Sequence, residues 1–268
     1  MFKKLLDFNN VVATGKASLS LANLFGNTVD RIQLQLGGTA LTKAMLTQIR
    51  ILANEKVIFD DLGSNTDSRM QYRGIAANAA FLVLDFSEIR ARTILGQKTG
   101  ALDTTAGLRT LNMEVQITGA TAPTLAGYAE LSEPQTGADF QGLIAGVKRI
   151  TKNFGAAGTF AWEMSYGANT PILIKRLHFF GATVTNVEIK KRGISLFEAV
   201  PDAVNDYDQG EYQRTPQANV YTVDFIKDGN MSNALRIAPG DPMEYRVTVS
   251  GAGNVECVAE ILDVLNNF

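Results

Sequence analysis

Along most of the chain, apolar and polar residues alternate with a period near two, and Gly, Asn, Asp and Thr punctuate the runs. That pattern predicts half-buried β-strands rather than amphipathic helices. In the first half the runs are ASLSL, TVDRIQLQL, QIRILANEKVIF, AFLVLDF, LNMEVQI and LAGYAEL. In the second they are TFAWEMS, ILIKRLHFF, NVEIKKRGISLF, VYTVDF, YRVTVSG and VECVAEI. So many short strands with so few helices exceed one small sheet and predict an all-β protein of packed antiparallel sheets, either sandwiches or jelly rolls.

The runs repeat in order. MEVQITGA recurs as YRVTVSGA, pairing Met113 with Tyr245, Val115 with Val247 and Gly119 with Gly251. After a turn the match continues from Ala129-Glu130-Leu131 to Ala259-Glu260-Ile261. Gln48 to Phe59 aligns without a gap to Asn186 to Phe197, and LVLDF aligns to YTVDF with its Asp-Phe pairs, Asp85-Phe86 and Asp224-Phe225. Between these blocks lie polar inserts of nearly equal length, DDLGSNTDSRMQYRGIAANAA and EAVPDAVNDYDQGEYQRTPQAN. Each is too long for a bare connection in a compact domain and predicts a short helix crossing one end of a sandwich. TALTKAMLTQ adds a helical turn in the first half only.

Three blocks in register predict two consecutive domains of one topology. The division falls at 1–136, with a short N-terminal segment 1–10, and 137–268, which begins with a linker. In that linker Phe140, Leu143, Ile144, Val147 and Ile150 stand at helical spacing, whereas VKRITKNF also alternates like a strand. Both readings stay open.

Composition narrows the function. The 268 residues are 46% hydrophobic, with 25 basic against 27 acidic side chains, so no excess charge marks a nucleic-acid groove or a basic membrane face. The start MFKKLLDFNN has no apolar core of a signal peptide, and no stretch of about 18 apolar residues predicts a membrane span. One cysteine, Cys257, excludes an intrachain disulfide, and its strand setting reads as core.

Candidate chemistry is sparse. A catalytic triad or histidine metal site would need His178, the sole histidine, but Leu177, Phe179 and Phe180 around it mark a structural strand position. Asp202, Asp206, Asp208 and Glu211 are weak candidates for oxygen ligands to a structural divalent cation. Counted from Asp206 they miss the EF-hand loop, having Glu211 where Gly is required and Gln217 where Glu is required. A solvated helix start after Pro201 is the other reading. Lys190-Lys191-Arg192-Gly193 occupies a turn whose counterpart, Leu52 to Glu55, is not basic. No phosphate-binding glycine motif occurs, so no cofactor is predicted. Phe2, Lys3, Lys4, Leu5, Leu6 and Phe8 form a brief amphipathic start that faces a lipid surface or a neighbouring subunit, or tucks beneath the first sheet.

The succession GKASLSLANLFGNTVDRIQLQLGG, TQIRILANEKVIFD, a polar helix and AFLVLDF resembles the double jelly-roll major capsid proteins of tailless, membrane-containing icosahedral bacteriophages, the corticovirus type above all. The likeness spans the whole chain through its tandem arrangement, while its individual motifs are weak. It implies two eight-stranded jelly-roll sandwiches with short helical inserts and no enzymatic activity. It also implies a homotrimer, whose six similar lobes present a nearly hexagonal outline and tile flat facets. The implied partners are other copies of the chain, a vertex protein at the fivefold positions, and an internal membrane beneath the shell, with no sequence-specific nucleic acid. The implied location is the virion capsid, assembled in the host cytoplasm. The alternative is a tandem jelly-roll carbohydrate-binding or carbohydrate-active protein, which would need exposed aromatics, whereas the single Trp162 alternates like a core residue.

Overall fold

The computed structural model describes residues 1–105, 107–135, 142–164 and 171–268. The first half contains β1 (Phe2–Lys4), β2 (Gly15–Ser20), β3 (Thr28–Thr39), β4 (Leu46–Ala53), β5 (Lys56–Asp61), helix α1 (Gly63–Tyr72) and β6 (Phe81–Asp85). It continues with α2 (Ile94–Lys98), β7 (Leu102–Asp103), β8 (Leu111–Ile117) and β9 (Ala122–Ser132). The second half contains β10 (Ile144–Phe154), β11 (Gly158–Ala161), β12 (Ile172–Phe180), β13 (Val184–Lys191), β14 (Ile194–Phe197), α3 (Asp202–Glu211) and β15 (Val220–Asp224). β16 (Leu235–Ile237), β17 (Met243–Val249) and β18 (Gly253–Asp263) complete it.

The first lobe stacks the sheet β1-β9-β3-β6 on the sheet β2-β8-β4-β5, and the second stacks β10-β18-β12-β15 on β11-β17-β13-β14. These are the interleaved sheets of a jelly roll, formed twice by eight strands in the same order. The accessory strands β7 and β16 pair with β3 and β12, the same position in each lobe. Alternation explains the packing: in β3, Ile32, Leu34 and Leu36 point into the core, while Arg31, Gln33 and Gln35 line the outer face. Every repeated block falls on equivalent strands, and the two inserts form α1 and α3.

Local detail is duplicated as well. β4 and β13 each shift register against the next strand at matching places, between Ile51 and Leu52 and between Ile189 and Lys190. Both hairpins turn through left-handed residue pairs, Asn54-Glu55 and Arg192-Gly193, whose positive φ suits the twist of a tight antiparallel hairpin. The long strands β3 and β12 are interrupted at equivalent points, between Val29 and Arg31 and between Ile174 and Arg176.

The linker settles as the strand β10, because its backbone pairs with β18 over its full length. Phe140 and the expected division at 136/137 lie outside the described residues. TALTKAMLTQ contains one short helical turn, Lys43–Met45. Trp162 is buried in the second core, edge-on to Phe179.

The lobes share one continuous sheet. β5 of the first lobe runs parallel to β10 of the second, with Val147 opposite Phe59. The first lobe's core takes in Ala145, Val147, Val258 and Leu262 from the second. Gly100 permits this closeness at left-handed φ, since a Cβ there would lie 2.8 Å from Leu262 and 2.9 Å from the Phe86 carbonyl.

Candidate assembly interface

Where the lobes meet, the outer face of β12, β15 and β18 carries charge instead of apolar side chains. Arg176 is wholly buried and donates from Nε to Asp224 at 2.9 Å, from Nη1 to Glu88 at 2.8 Å and to Glu260 at 2.9 Å, and from Nη2 to Glu88 at 3.2 Å. Lys175 adds a 2.8 Å bond to Glu88, and Arg73 lies 3.4 Å from it. From α1, Arg69 bridges Asp61 at 2.8 Å and Glu260 at 2.6 Å, and Tyr72 donates to Asp224 at 3.1 Å. Arg73 also binds Asp85, and Arg214 lies 3.5 Å from Asp224.

Five cations therefore face five carboxylates, each at most 5% exposed. The balance matters because an unpaired buried charge is strongly destabilising. Burial by itself would raise the Glu88 carboxyl, but Arg176, Arg73 and Lys175 hold it well below the ordinary range. Burial opposes ionisation of Glu260 too, and Arg176, Arg69 and Arg73 hold that carboxyl far down. Arg176 is raised despite its burial by Asp224, Glu88 and Glu260.

His178 sits in this layer as a structural residue. Its Nδ1 shares a 2.9 Å hydrogen bond with the Thr222 hydroxyl, its ring meets Tyr72 edge-on, and Nε2 is 3.7 Å from Glu260, beyond hydrogen-bond reach. Burial pushes its pKa below the ordinary value, so the ring is neutral. Cys257 is buried in the second core, where burial pushes its thiol up and away from reactivity.

The first lobe carries the same constellation, partly open to solvent through Arg31 and Glu130. Arg31 on β3 faces Asp85 on β6 at 3.3 Å and Glu130 on β9 at 3.6 Å, as Arg176 faces Asp224 and Glu260. Arg31 is 17% and Glu130 43% exposed, against 0% for Arg176 and 3% for Glu260. The sequence repeat had matched Asp85 with Asp224 and Glu130 with Glu260. It missed the arginines, whose signal was a charge inside otherwise apolar runs, RIQLQL and KRLHFF.

The four acidic candidates do not converge. α3 spreads them along its length: Asp208 is paired with Lys227, Glu211 is exposed, and partial burial pushes the Asp202 and Asp206 carboxyls up. Among the described residues no group of three or more His, Cys, Asp or Glu side chains could hold a metal ion. The basic turn is neutralised locally, Lys191 and Arg192 each meeting Asp241 at 2.8 Å and Lys190 meeting Glu188 at 2.9 Å.

The amphipathic start opens with the short strand Phe2–Lys4. Phe2, Lys3 and Lys4 pair with Glu130, Ala129 and Tyr128. Leu5 is buried, its side chain filling the space left by Gly127, and Phe8 packs on the first core. Lys3 binds the Asn23 carbonyl at 2.5 Å. Phe2, Lys4 and Leu6 remain exposed, with Phe2 stacked on Tyr128 at 5.7 Å.

Residues 2–132 match the model of the viral coat protein P2 N-terminal domain, and residues 144–265 match that of its C-terminal domain. The major capsid protein P2 of bacteriophage PM2 superposes with a TM-score of 0.85 at 19% identity, over 98% of this chain and 97% of that one. The corresponding values for a chain of Sulfolobus Turreted Icosahedral Virus are 0.71 and 16%, over 99% and 91%. For VP54 of PBCV-1 they are 0.62 and 10%, over 97% and 92%. At these identities the superpositions establish the shared fold. Among curated proteins none matches in sequence.

Proposed function

The chain belongs to the viral coat protein P2 family, a structural protein of the virion capsid, and from that premise we propose that it forms homotrimers with a pseudo-hexagonal outline that tile the facets of an icosahedral shell. The observation that carries this reading is the strand-for-strand duplication, with one lobe docked on the other by dissimilar faces. Head-to-tail docking of dissimilar faces closes into a ring when the rotation permits, and three chains of two lobes supply six near-equivalent positions. The division into lobes near residue 137 belongs to the same reading, as does a vertex protein at the fivefold positions, which a three-way block cannot fill. Assembly in the host cytoplasm around an internal membrane rests on the resemblance to the membrane-containing bacteriophages. Of the N-terminal segment, Phe2, Lys4 and Leu6 are the exposed residues that would meet a bilayer or an adjoining trimer, because Lys3, Leu5 and Phe8 are engaged within the lobe.

Light scattering tests the reading: the purified chain should have the mass of a trimer, and negative-stain images should show hexagonal outlines. A stable monomer at micromolar concentration would overturn it. Sedimentation with anionic vesicles tests the membrane contact, which should weaken on Lys4→Glu and Leu6→Ser. The family match does not support the carbohydrate reading, and Trp162, the stacking residue it would have used, is buried.

A further inference from the structure

We propose that α2 and the segment leading into it, Ile89 to Leu95, form a lipid-binding patch that docks on an anionic bilayer, with Ile89, Ile94 and Leu95 entering the interface while Arg90 and Arg92 meet the phosphates. This rests on the membrane contact proposed for the N-terminal segment. It adds a second element that carries the contact, the end of the fold that faces the lipid, and the charge of that lipid.

The apolar side chains are the first argument. Ile94 is 76% exposed, Ile89 55% and Leu95 40%, three large aliphatic residues left in water within seven positions. Single exposed apolar residues are ordinary, whereas a cluster of them rimmed by charge marks an interaction surface. A fixed helix presents this cluster. Thr93 caps α2 by accepting from the Gly96 amide at 3.0 Å, the Gln97 amide group donates to the Ala91 carbonyl at 3.1 Å, and the Thr99 hydroxyl donates to the Leu95 carbonyl at 2.9 Å. Gly96 faces inward, since a Cβ there would stand 3.1 Å from the side chains of both Ala91 and Met231. Ile94, two residues earlier and therefore on the opposite face of the turn, points out.

Charge is the second. Arg90 and Arg92 stand exposed among those side chains, and within the described residues neither meets a carboxylate. Arg90 donates to the Gly74 carbonyl at 2.8 Å, and Arg92 is placed by the 2.9 Å bond from its amide to the Gly229 carbonyl. Glu88, just before them, is buried against Lys175 and Arg176. In the neighbouring hollow Glu130 lies by Arg31, and Asp30 accepts from the Ser132 hydroxyl. The chain as a whole carries a charge of -2, so two unpaired arginines are a local excess of the opposite sign. A guanidinium matches a phosphate with paired hydrogen bonds, and aliphatic tips flanked by cations are what an anionic lipid surface holds.

Position is the third. The connection between β6 and β8 gathers with other turns at one end of the molecule: the Thr104 amide bonds the Asn27 carbonyl ahead of β3, and the Arg109 amide bonds the Asn54 side chain between β4 and β5. Met1 is exposed at the same end, its ammonium group donating to the Leu131 carbonyl at 2.5 Å, next to Ser132, which shares a hollow with Ile89. Gln97 and Lys98 line that hollow too, whereas Ile94, Leu95 and Arg92 stand clear of it. Protruding tips suit a lipid surface, which yields to them, better than a folded partner, which would have to supply a socket.

Vesicle sedimentation of the full chain tests this. The wild type should bind phosphatidylglycerol vesicles, release them in high salt, and bind phosphatidylcholine vesicles at least about tenfold more weakly. One basic residue at an anionic surface contributes about fivefold, so Arg90→Gln with Arg92→Gln should weaken binding at least about tenfold. Ile94→Ser should weaken it at least about fivefold, and circular dichroism should be unchanged in both variants. As an independent measurement, an environment-sensitive dye on Ile94→Cys should shift to the blue on phosphatidylglycerol vesicles. The same dye on Thr121→Cys should not, because β8 carries that turn about 23 Å from this end. The natural Cys257 is buried and does not compete for the label. Wild-type binding that the α2 variants retain, with no shift at Ile94→Cys, overturns the patch and leaves the N-terminal contact standing. Equal binding to both lipids overturns the recognition of charge. A wild type that binds neither overturns the membrane contact itself.

Discussion

Replacing Arg176 by Met is the sharpest probe of the lobe junction. The substitution keeps much of the side-chain volume and removes four charge-assisted hydrogen bonds to Asp224, Glu88 and Glu260. Five carboxylates then face four cations in a site that water does not reach. Removing one partner from such a buried arrangement costs about 3–5 kcal/mol, chiefly because the remaining charges stay buried. With an m-value of about 2 kcal/mol/M, the urea midpoint should fall by about 1.5–2.5 M. Trp162, the only tryptophan, reports the second lobe by fluorescence, while far-ultraviolet circular dichroism reports both. Working at two protein concentrations separates unfolding from dissociation. Arg176→Met with Glu88→Gln restores the charge balance, and should be less destabilised than the sum of the singles by at least about 1 kcal/mol. The equivalent Arg31→Met should cost less, because solvent screens Glu130 and Arg73 still neutralises the buried Asp85. Equal costs at the two positions, or strict additivity in the double variant, would refute the argument that burial makes this network matter.

Acid should destabilise the protein in two stages. Folding depresses His178, so stability falls as pH drops below the ordinary histidine value of about 6.5, where the unfolded chain takes up a proton that the folded ring refuses. Glu88 and Glu260 are depressed too, so their contribution is intact above about pH 4.3 and is lost as pH falls towards their folded values. His178→Gln should remove the first stage in melts from pH 7 to 3 and keep the second; an unchanged profile contradicts the assignment. Leu5→Ala should destabilise the first lobe by about 2–5 kcal/mol because Leu5 is buried against Gly127, whereas Leu6→Ser should stay within about 0.5 kcal/mol in denaturant titrations. Equal effects would show that the segment is not held as a strand. Calcium or EDTA should leave the melting temperature unchanged, and a calcium-dependent rise abolished by Asp206→Asn would establish the metal site that α3 does not assemble.

Much of this architecture was legible in the sequence because a strand encodes its own orientation. Alternation in RIQLQL and in VECVAEI states which side chains face the sandwich core, and repetition of those runs with equal inserts states that two lobes share one topology. β1 escaped that logic, since three residues are too few to show a period. β10 stayed ambiguous because its outer face packs on the first lobe, which erases the polar half of the alternation.

What covers the outer face of each sandwich is absent from the local pattern. Arg31-Asp85-Glu130 and Arg176-Asp224-Glu260 are the same constellation on the same strands, yet one is half open and the other sealed. The difference arises because only the second lobe has α1 and β5 laid across it by its own chain. By itself the sequence determined the strands, their inward faces and the duplication, since these depend on neighbours close along the chain. Tertiary structure alone decided which copy of the charged face is buried, because burial depends on what lies beyond the sheet, and only the second lobe's face is covered by another part of the same chain.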